Sequence, residues 1–205
     1  MTGFTDKQKR LAGKLYIAQG QEFLKDILRC RKLLRKFNQS SPHKIQYRTK
    51  LLKTLFQQIG AASYIEPPFH CDYGAQISIG DNFYANVNCV ILDVCAVTID
   101  QNVFLGPNVG IYTAAHPLDA AVRAERLEYG RPVTIGDNVW LGGGVSVLPG
   151  VAISDNVVVG AGSVVTKNIP ANVVAAGNPC KILRRLTVRD KKFWEKQRQE
   201  YYRLA

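Results

Sequence analysis

Between Ile135 and Val165 an aliphatic residue returns at every sixth position: Ile135, Leu141, Val147, Ile153, Val159 and Val165. Two places before most of these stands another small or β-branched residue, namely Val139, Val145, Val151, Val157 and Ser163. The same phase runs back through Ile111, Leu105 and Ile99. Ile79, Ala85 and Ile91 share a phase that slips by two residues before Ile99. An α-helix repeats near 3.6 residues and an open strand near 2, so neither template accounts for a period of six. A period of six held over many repeats predicts a β-solenoid of hexapeptide repeats, with short strands and turns stacked coil upon coil. The aliphatics then fill the interior. Stretches such as Gly136-Asp137-Asn138 make the turns, because these residues tolerate the left-handed backbone that turns need. A flexible glycine linker has no aliphatic register, so that reading fails.

The rest of the chain divides around this block. Its 205 residues suffice for one well-buried core with helical additions. The net charge of +11 is unevenly spread. Residues 1–60 hold 14 Lys/Arg against 3 Asp/Glu, residues 61–180 hold 4 against 10, and residues 181–205 hold 9 against 3. The solenoid is therefore acidic and its flanks basic. Phe23, Ile27, Cys30, Leu34 and Phe37 form one apolar stripe at helical spacing. Ser41-Pro42 reads as the N-cap and first turn of a second helix, with Leu51, Leu52, Leu55, Phe56 and Ile59 as its stripe. Thr187 and Asp190 predict the cap of a third, carrying Phe193, Trp194, Tyr201 and Leu204. The expected divisions are a helical segment at 1–62, the solenoid at 63–180 with an excursion at about 112–132, and a basic helix at 181–205. The basic faces read as solvated, since no aromatic-interleaved module for nucleic acid is visible. The polar start from Met1 to Arg10 and the lack of a long apolar run argue against a signal peptide and a membrane span.

Five cysteines, Cys30, Cys71, Cys89, Cys95 and Cys180, form no CxxC pair, which points to reduced thiols and a cytoplasmic setting. Cys89 and Cys95 fall among the coils, where a free thiol acts as a small apolar filler. Of three histidines, His43 reads as surface. His70 neighbours Cys71 and Asp72, yet the spacing matches no zinc motif and no metal site is expected. His116 lies in the one long break in the register, residues 111–133. A loop that leaves a rigid solenoid and returns in phase is a favoured place for function. Position alone leaves His116 open between a structural and a chemical role.

The stretches "GKLY" (13–16), "YIEPPFHCDYG" (64–74), "NFYANVNCVILD" (82–93), "IYTAAHPLD" (111–119), "IGDNVWLGGG" (135–144) and "VVTKNIPANVVAAGNPCKILRRL" (164–186) resemble the sugar O-acetyltransferases, the maltose and galactoside enzymes among them. The resemblance covers nearly the whole chain. It implies a left-handed parallel β-helix, a homotrimer, an N-terminal segment capping the acceptor side, and transfer of acetyl from acetyl-CoA to a hydroxyl of a sugar such as maltose or glucose. It places the catalytic histidine at His116. A histidine with an ordinary pKa near ~6.5 suits deprotonation of a sugar hydroxyl as it attacks the thioester. Both substrates can meet in one ternary complex, so no acetyl-enzyme is needed. The resemblance assigns Asp72, Asn86 and Asp93 to the acceptor. For acetyl-CoA it assigns Trp140, Gly143, Ala161, Thr166, Lys167, Lys181 and Arg184. The last four suit a ligand bearing phosphates. The glycines at 142–144 are expected to let substrate approach the main chain and meet its N–H groups. Three positions depart from the pattern. Ala18 and Ile27 stand where galactoside-type relatives carry an acidic and a basic residue, and Lys181 stands where arginine is common.

Other classes fit less well. A zinc hydratase on a solenoid needs several histidines from neighbouring coils, and a non-catalytic scaffold gives no reason for the His116 loop. Within the enzyme class the alternative acceptor is an antibiotic or a lipo-oligosaccharide.

Overall fold

The computed structural model describes residues 3–204; Met1 and Thr2, at the head of the polar N-terminal stretch, and Ala205, at the end of the basic C-terminal segment, lie outside it. At its centre short parallel strands stack into a β-solenoid with three walls. The first wall holds Gln58–Ile59, Ile77–Ile79, Val97–Ile99, Val133–Ile135 and Ala152–Ile153. The second holds Tyr64–Ile65, Tyr84–Ala85, Phe104–Leu105, Trp140–Leu141, Val158–Val159 and Val173–Ala176. The third holds Phe69–Cys71, Cys89–Leu92, Gly110–Tyr112, Ser146–Val147 and Val164–Val165.

The six-residue register is the core. Ile79, Ile99, Ile135 and Ile153 stack along the first wall, Leu105, Leu141 and Val159 along the second, and Ile91, Ile111, Val147 and Val165 along the third. All are buried, as are Val139, Val145, Val151, Val157 and Ser163 between them. Each aliphatic side chain so withdrawn from water contributes roughly 1.5–3 kcal/mol. At the corner between the first and second walls Asn82, Asn102, Asn138, Asn156 and Asn172 all take positive φ, from 55° to 62°. Their amides form a ladder: Asn82 donates to Asn102 at 2.8 Å and Asn156 to Asn172 at 2.7 Å. Asn138 thus performs the turn expected of Gly136-Asp137-Asn138, beside Asp137, whose carboxylate accepts the Gln101 N–H.

The slip before Ile99 also has a location. Ile79 and Ile99 are partners 20 positions apart, whereas Ile135 and Ile153 are 18 apart. The two extra residues lie at the corner between the third and first walls. There the Asp93 carboxylate accepts the N–H groups of Asp72 at 3.0 Å, Tyr73 at 2.9 Å and Gln76 at 3.3 Å. One coil later the same corner opens into the excursion. Ile99 and Ile135 are partners 36 positions apart, twice the later spacing, so the loop returns in register.

Among the described residues five helices complete the fold: α1 (Asp6–Leu11), α2 (Gln21–Asn38), α3 (Ile45–Leu55), α4 (Ala120–Ala124) and α5 (Val188–Leu204). Cys30, Leu34 and Phe37 of α2 and Leu51, Leu52 and Leu55 of α3 join the same core as the coils. Ser41-Pro42 does not begin α3. The Ser41 carbonyl instead accepts the Lys44 N–H at 3.0 Å, and the helix starts at Ile45. Phe56 ends that helix, and Ile59 already belongs to the first solenoid strand, upstream of the expected start at residue 63. Residues 181–205 are also more than a helix. Lys181–Arg185 forms a strand antiparallel to Val173–Ala176 before α5 begins. At the start of α5 the expected pair meets with Asp190 as the acceptor, its carboxylate taking both the Thr187 N–H at 2.8 Å and the Thr187 hydroxyl at 2.9 Å. Phe193, Trp194, Tyr201 and Leu204 of α5 are exposed. All five cysteines are free thiols, with Cys89 and Cys95 buried. Among the described residues no helix is long and apolar enough to cross a membrane.

Candidate active site

The excursion is a folded unit rather than a slack loop. Its strands Ala114–Ala115 and Leu127–Gly130 pair antiparallel, and Tyr16–Ile17 from the N-terminal segment adds a third strand alongside Leu127–Gly130. Thr113, fully buried at its base, donates its hydroxyl to the Leu92 carbonyl at 2.7 Å and accepts the Cys95 N–H at 3.0 Å. The three-stranded patch holds His116. Its Nδ1 lies 3.1 Å from the Leu127 carbonyl oxygen. A carbonyl oxygen only accepts, so Nδ1 carries the proton and Nε2 keeps a lone pair able to take one. His116 lines a cavity of about 450 Å³ with Ile17, Ala18, Gln19, Arg123, Arg126 and Glu128.

Behind this cavity lies a charged cluster. Arg10 is 1% exposed, donates Nη1 to the Val94 carbonyl at 2.9 Å, and sets its guanidinium 4.1 Å from the centre of the Tyr73 ring. Its Nε and the buried Tyr16 hydroxyl have no hydrogen-bond partner among the described residues. Burial first, and then the charge of Glu128, raises the pKa of Asp72, against the pull of Arg10 and Arg31. Burial and Glu128 likewise push the Tyr16 phenol upward. Asp93 requires a correction. Its side chain is 0% exposed, and its carboxylate is committed to three backbone N–H groups of its own corner, so no sugar hydroxyl can reach it. Burial pushes its pKa up to about 7, the Tyr73 and Gln76 N–H groups opposing. Asn86 is half-buried at the corner between the second and third walls, its side chain accepting the Val87 N–H at 2.8 Å. Among the described residues no three His, Cys, Asp or Glu side chains gather to hold a metal ion, and His70 is exposed.

The residues assigned to acetyl-CoA sit elsewhere on the prism. Gly143 and Ala161 lie in successive coils at the corner between the second and third walls. The N–H groups of both have no hydrogen-bond partner among the described residues. By contrast Gly142 donates to the Val159 carbonyl and Gly144 to the Pro107 carbonyl, both at 2.8 Å. Gly142 and Gly144, on either side of Gly143, have structural causes of their own. A Cβ on Gly142 would meet the Ala161 nitrogen at 2.6 Å, and Gly144 has φ +70°, so coil stacking and turn geometry select these glycines. Trp140 is 54% exposed on the outer face of the second wall, over Phe104 and in line with the stacked Tyr64 and Tyr84. Thr166 and Lys167 are exposed beyond the last strand of the third wall, and Lys181 is exposed on the antiparallel strand. Arg184 is not a free cation: its guanidinium grips Asp190 in a two-point ion pair at 2.8 and 2.9 Å. The histidine and the free N–H groups thus occupy different corners of one chain. Sequence reasoning missed Arg10, Tyr16, Arg123, Arg126 and Glu128. The pairing of Tyr16–Ile17 with Leu127 and Glu128 unites them, and no local period announces it.

A family profile described as "Maltose acetyltransferase hexapeptide capping motif" matches residues 9–60, and one described as "Hexapeptide repeat of succinyl-transferase" matches residues 132–167. Galactoside O-acetyltransferase of Escherichia coli is 44% identical over 185 residues, which cover 90% of this chain and 91% of that one. The crystal structure of a maltose O-acetyltransferase from Clostridium difficile 630 superposes with a TM-score of 0.87 at 48% identity, covering 91% of this chain and 100% of that one. A galactoside acetyltransferase solved in complex with coenzyme A superposes with a TM-score of 0.90 at 43% identity, covering 92% of this chain and 94% of that one.

Proposed function

The chain belongs to the maltose and galactoside O-acetyltransferase family of hexapeptide-repeat proteins, and from that premise we propose that it moves an acetyl group from acetyl-CoA to a hydroxyl of a sugar such as maltose or glucose. The observation that carries this reading is His116, its Nδ1 proton held by the Leu127 carbonyl and its Nε2 free at a cavity of sugar size. In the proposed reaction Nε2 takes the hydroxyl proton as the sugar oxygen attacks the thioester carbon. A C–O bond forms, the C–S bond breaks, and the imidazolium returns the proton to the departing thiolate. The free N–H groups of Gly143 and Ala161 are donors for carbonyl oxygens of the acylated coenzyme arm. Trp140, Thr166, Lys167 and Lys181 are its further contacts, and Arg184 serves it after leaving Asp190. Asp72 and Asn86 remain the proposed acceptor ligands.

Because the histidine and the free N–H groups stand on different corners, one chain alone holds two halves of two sites. We propose a homotrimer in which the excursion of one chain faces the Gly143 corner of the next, with the exposed Phe104–Trp140 stripe covered by the packing. Light scattering at micromolar concentration tests this, and a stable monomer would sink it. The reaction is tested by release of free coenzyme A from acetyl-CoA across sugars, amino sugars and hydroxylated antibiotics. Turnover confined to the antibiotics would replace the sugar as acceptor; no turnover with any would remove the proposal.

A further inference from the structure

Among the described residues nine that are not glycine have positive φ. Seven are asparagines at solenoid or terminal-coil turns, one is Ala62, and the ninth is Arg126 at φ 65°. Arg126 follows the C-cap of α4, its N–H closing on the Arg123 carbonyl at 2.9 Å. Helix ends of this kind favour glycine or asparagine, because a Cβ is crowded in the left-handed region. Here a long cationic residue stands in the crowded place, and its side chain lines the His116 cavity. Strain kept at a cavity wall points to what the side chain does there. Arg123, the other arginine of the cavity, donates Nη1 to the carbonyls of Pro117 at 2.8 Å and Leu118 at 2.9 Å. It braces the turn after His116 while adding a second positive charge. Neither arginine has an ion-pair partner among the described residues, and Glu128 is the cavity's one acidic lining residue.

We propose that Arg126 is a specificity-determining residue that admits sugars bearing an anionic substituent, a carboxylate or a phosphate, with Arg123 shaping the same field. The inference deepens the proposed function and rests on it. A guanidinium pairs such oxo-anions through two parallel N–H donors. A neutral hydroxyl needs no charge and gives selection no reason to hold arginine in a left-handed turn.

The test compares three acceptors, methyl glucoside, methyl glucuronide and glucose 6-phosphate, in the full-length parent and in Arg126→Gly. The parent is expected to favour one or both charged sugars in kcat/KM. Arg126→Gly is expected to lower kcat/KM for the favoured charged sugar by about 10–100-fold, the worth of a charge-assisted hydrogen bond. It should leave methyl glucoside within about twofold and the KM for acetyl-CoA unchanged. Its thermal midpoint should equal or exceed the parent's, because glycine relaxes the turn. Which anion responds separates carboxylate from phosphate recognition. A parent that prefers the neutral sugar, an equal loss for all three acceptors, or a raised KM for acetyl-CoA would each overturn the inference while sparing the transferase reading. If no acceptor is turned over, that reading falls. The anion site is then decided by whether either charged sugar raises the thermal midpoint of the parent and not of Arg126→Gly.

Discussion

Two corners of the same prism solve different problems. The corner between the second and third walls never leaves the six-residue register, and what it offers is main chain: the unpaired N–H groups of Gly143 and Ala161. The corner between the third and first walls leaves the register after Tyr112 and offers side chains: His116, Arg126 and Glu128. A stacked coil fixes backbone directions because every neighbouring coil constrains them, and it has little freedom in its side chains. An inserted loop has the reverse balance, provided something else makes it rigid. Here Tyr16–Ile17 does so by adding a strand. Fixed donors come from the coil and choice of chemistry from the loop.

The largest expected effect breaks the side-chain corner alone. His116→Ala should lower kcat by about 10²–10⁴-fold in steady-state assays, with thermal midpoint and assembly unchanged. Near-parent turnover would make His116 a structural residue of the loop.

The next concerns the stretch of that corner made without an excursion. Burial raises the pKa of Asp93 to about 7, so the folded protein holds this proton more tightly than the unfolded chain does. The stabilisation is complete below the ordinary carboxylate pKa and is lost as pH rises toward 7, amounting to roughly a few kcal/mol. Urea unfolding of the parent between pH 4 and 8 should show stability falling with pH. In Asp93→Asn, which keeps one oxygen for the Asp72 and Tyr73 N–H groups, that fall should be shallower. Equal slopes would refute the assignment.

A smaller effect probes the main-chain corner. Pro107 occupies the place equivalent to Gly143 in the coil below, and Asn108 after it has φ 59° as Gly162 after Ala161 has φ 71°. Proline fits this turn position. Ala161→Pro should therefore fold while losing one N–H, raising the KM for acetyl-CoA by about 2–10-fold with the sugar KM unchanged. The smallest effect is at Arg184, whose two-point pair with Asp190 is exposed. Arg184→Ala should leave the midpoint of urea melts nearly unchanged, since water and salt screen an exposed pair.

What the sequence made legible follows the same division. Ile135 to Val165 could be read because a stacked interior demands one apolar side chain per wall per coil, which writes a period into the chain. The break around His116 could be read as the absence of that period. The two-residue slip before Ile99 was visible as a number, but its cause, Asp93 gathering three N–H groups, exists only once the corner is folded. The resemblance that assigned Asp93 to the acceptor carries no trace of that commitment. Arg184 looked like a free cation because it stands six positions from Asp190 across a strand-to-helix turn. The cluster of Arg10, Tyr16 and Glu128 had no signal, since its members meet through a strand pairing of residues more than a hundred positions apart.

Ile99 and Ile135 remain partners across 36 positions, so the coils above and below the excursion keep their register across it. Natural variation can therefore treat the segment between Tyr112 and Val133 as an exchangeable cassette, replacing its contents while the prism is inherited unaltered. Its pairing with Tyr16–Ile17 and the Thr113 bonds to Leu92 and Cys95 travel with it. Diversity of acceptors should accordingly be written in two short stretches of chain that change together, and a graft that moves one without the other should carry neither preference.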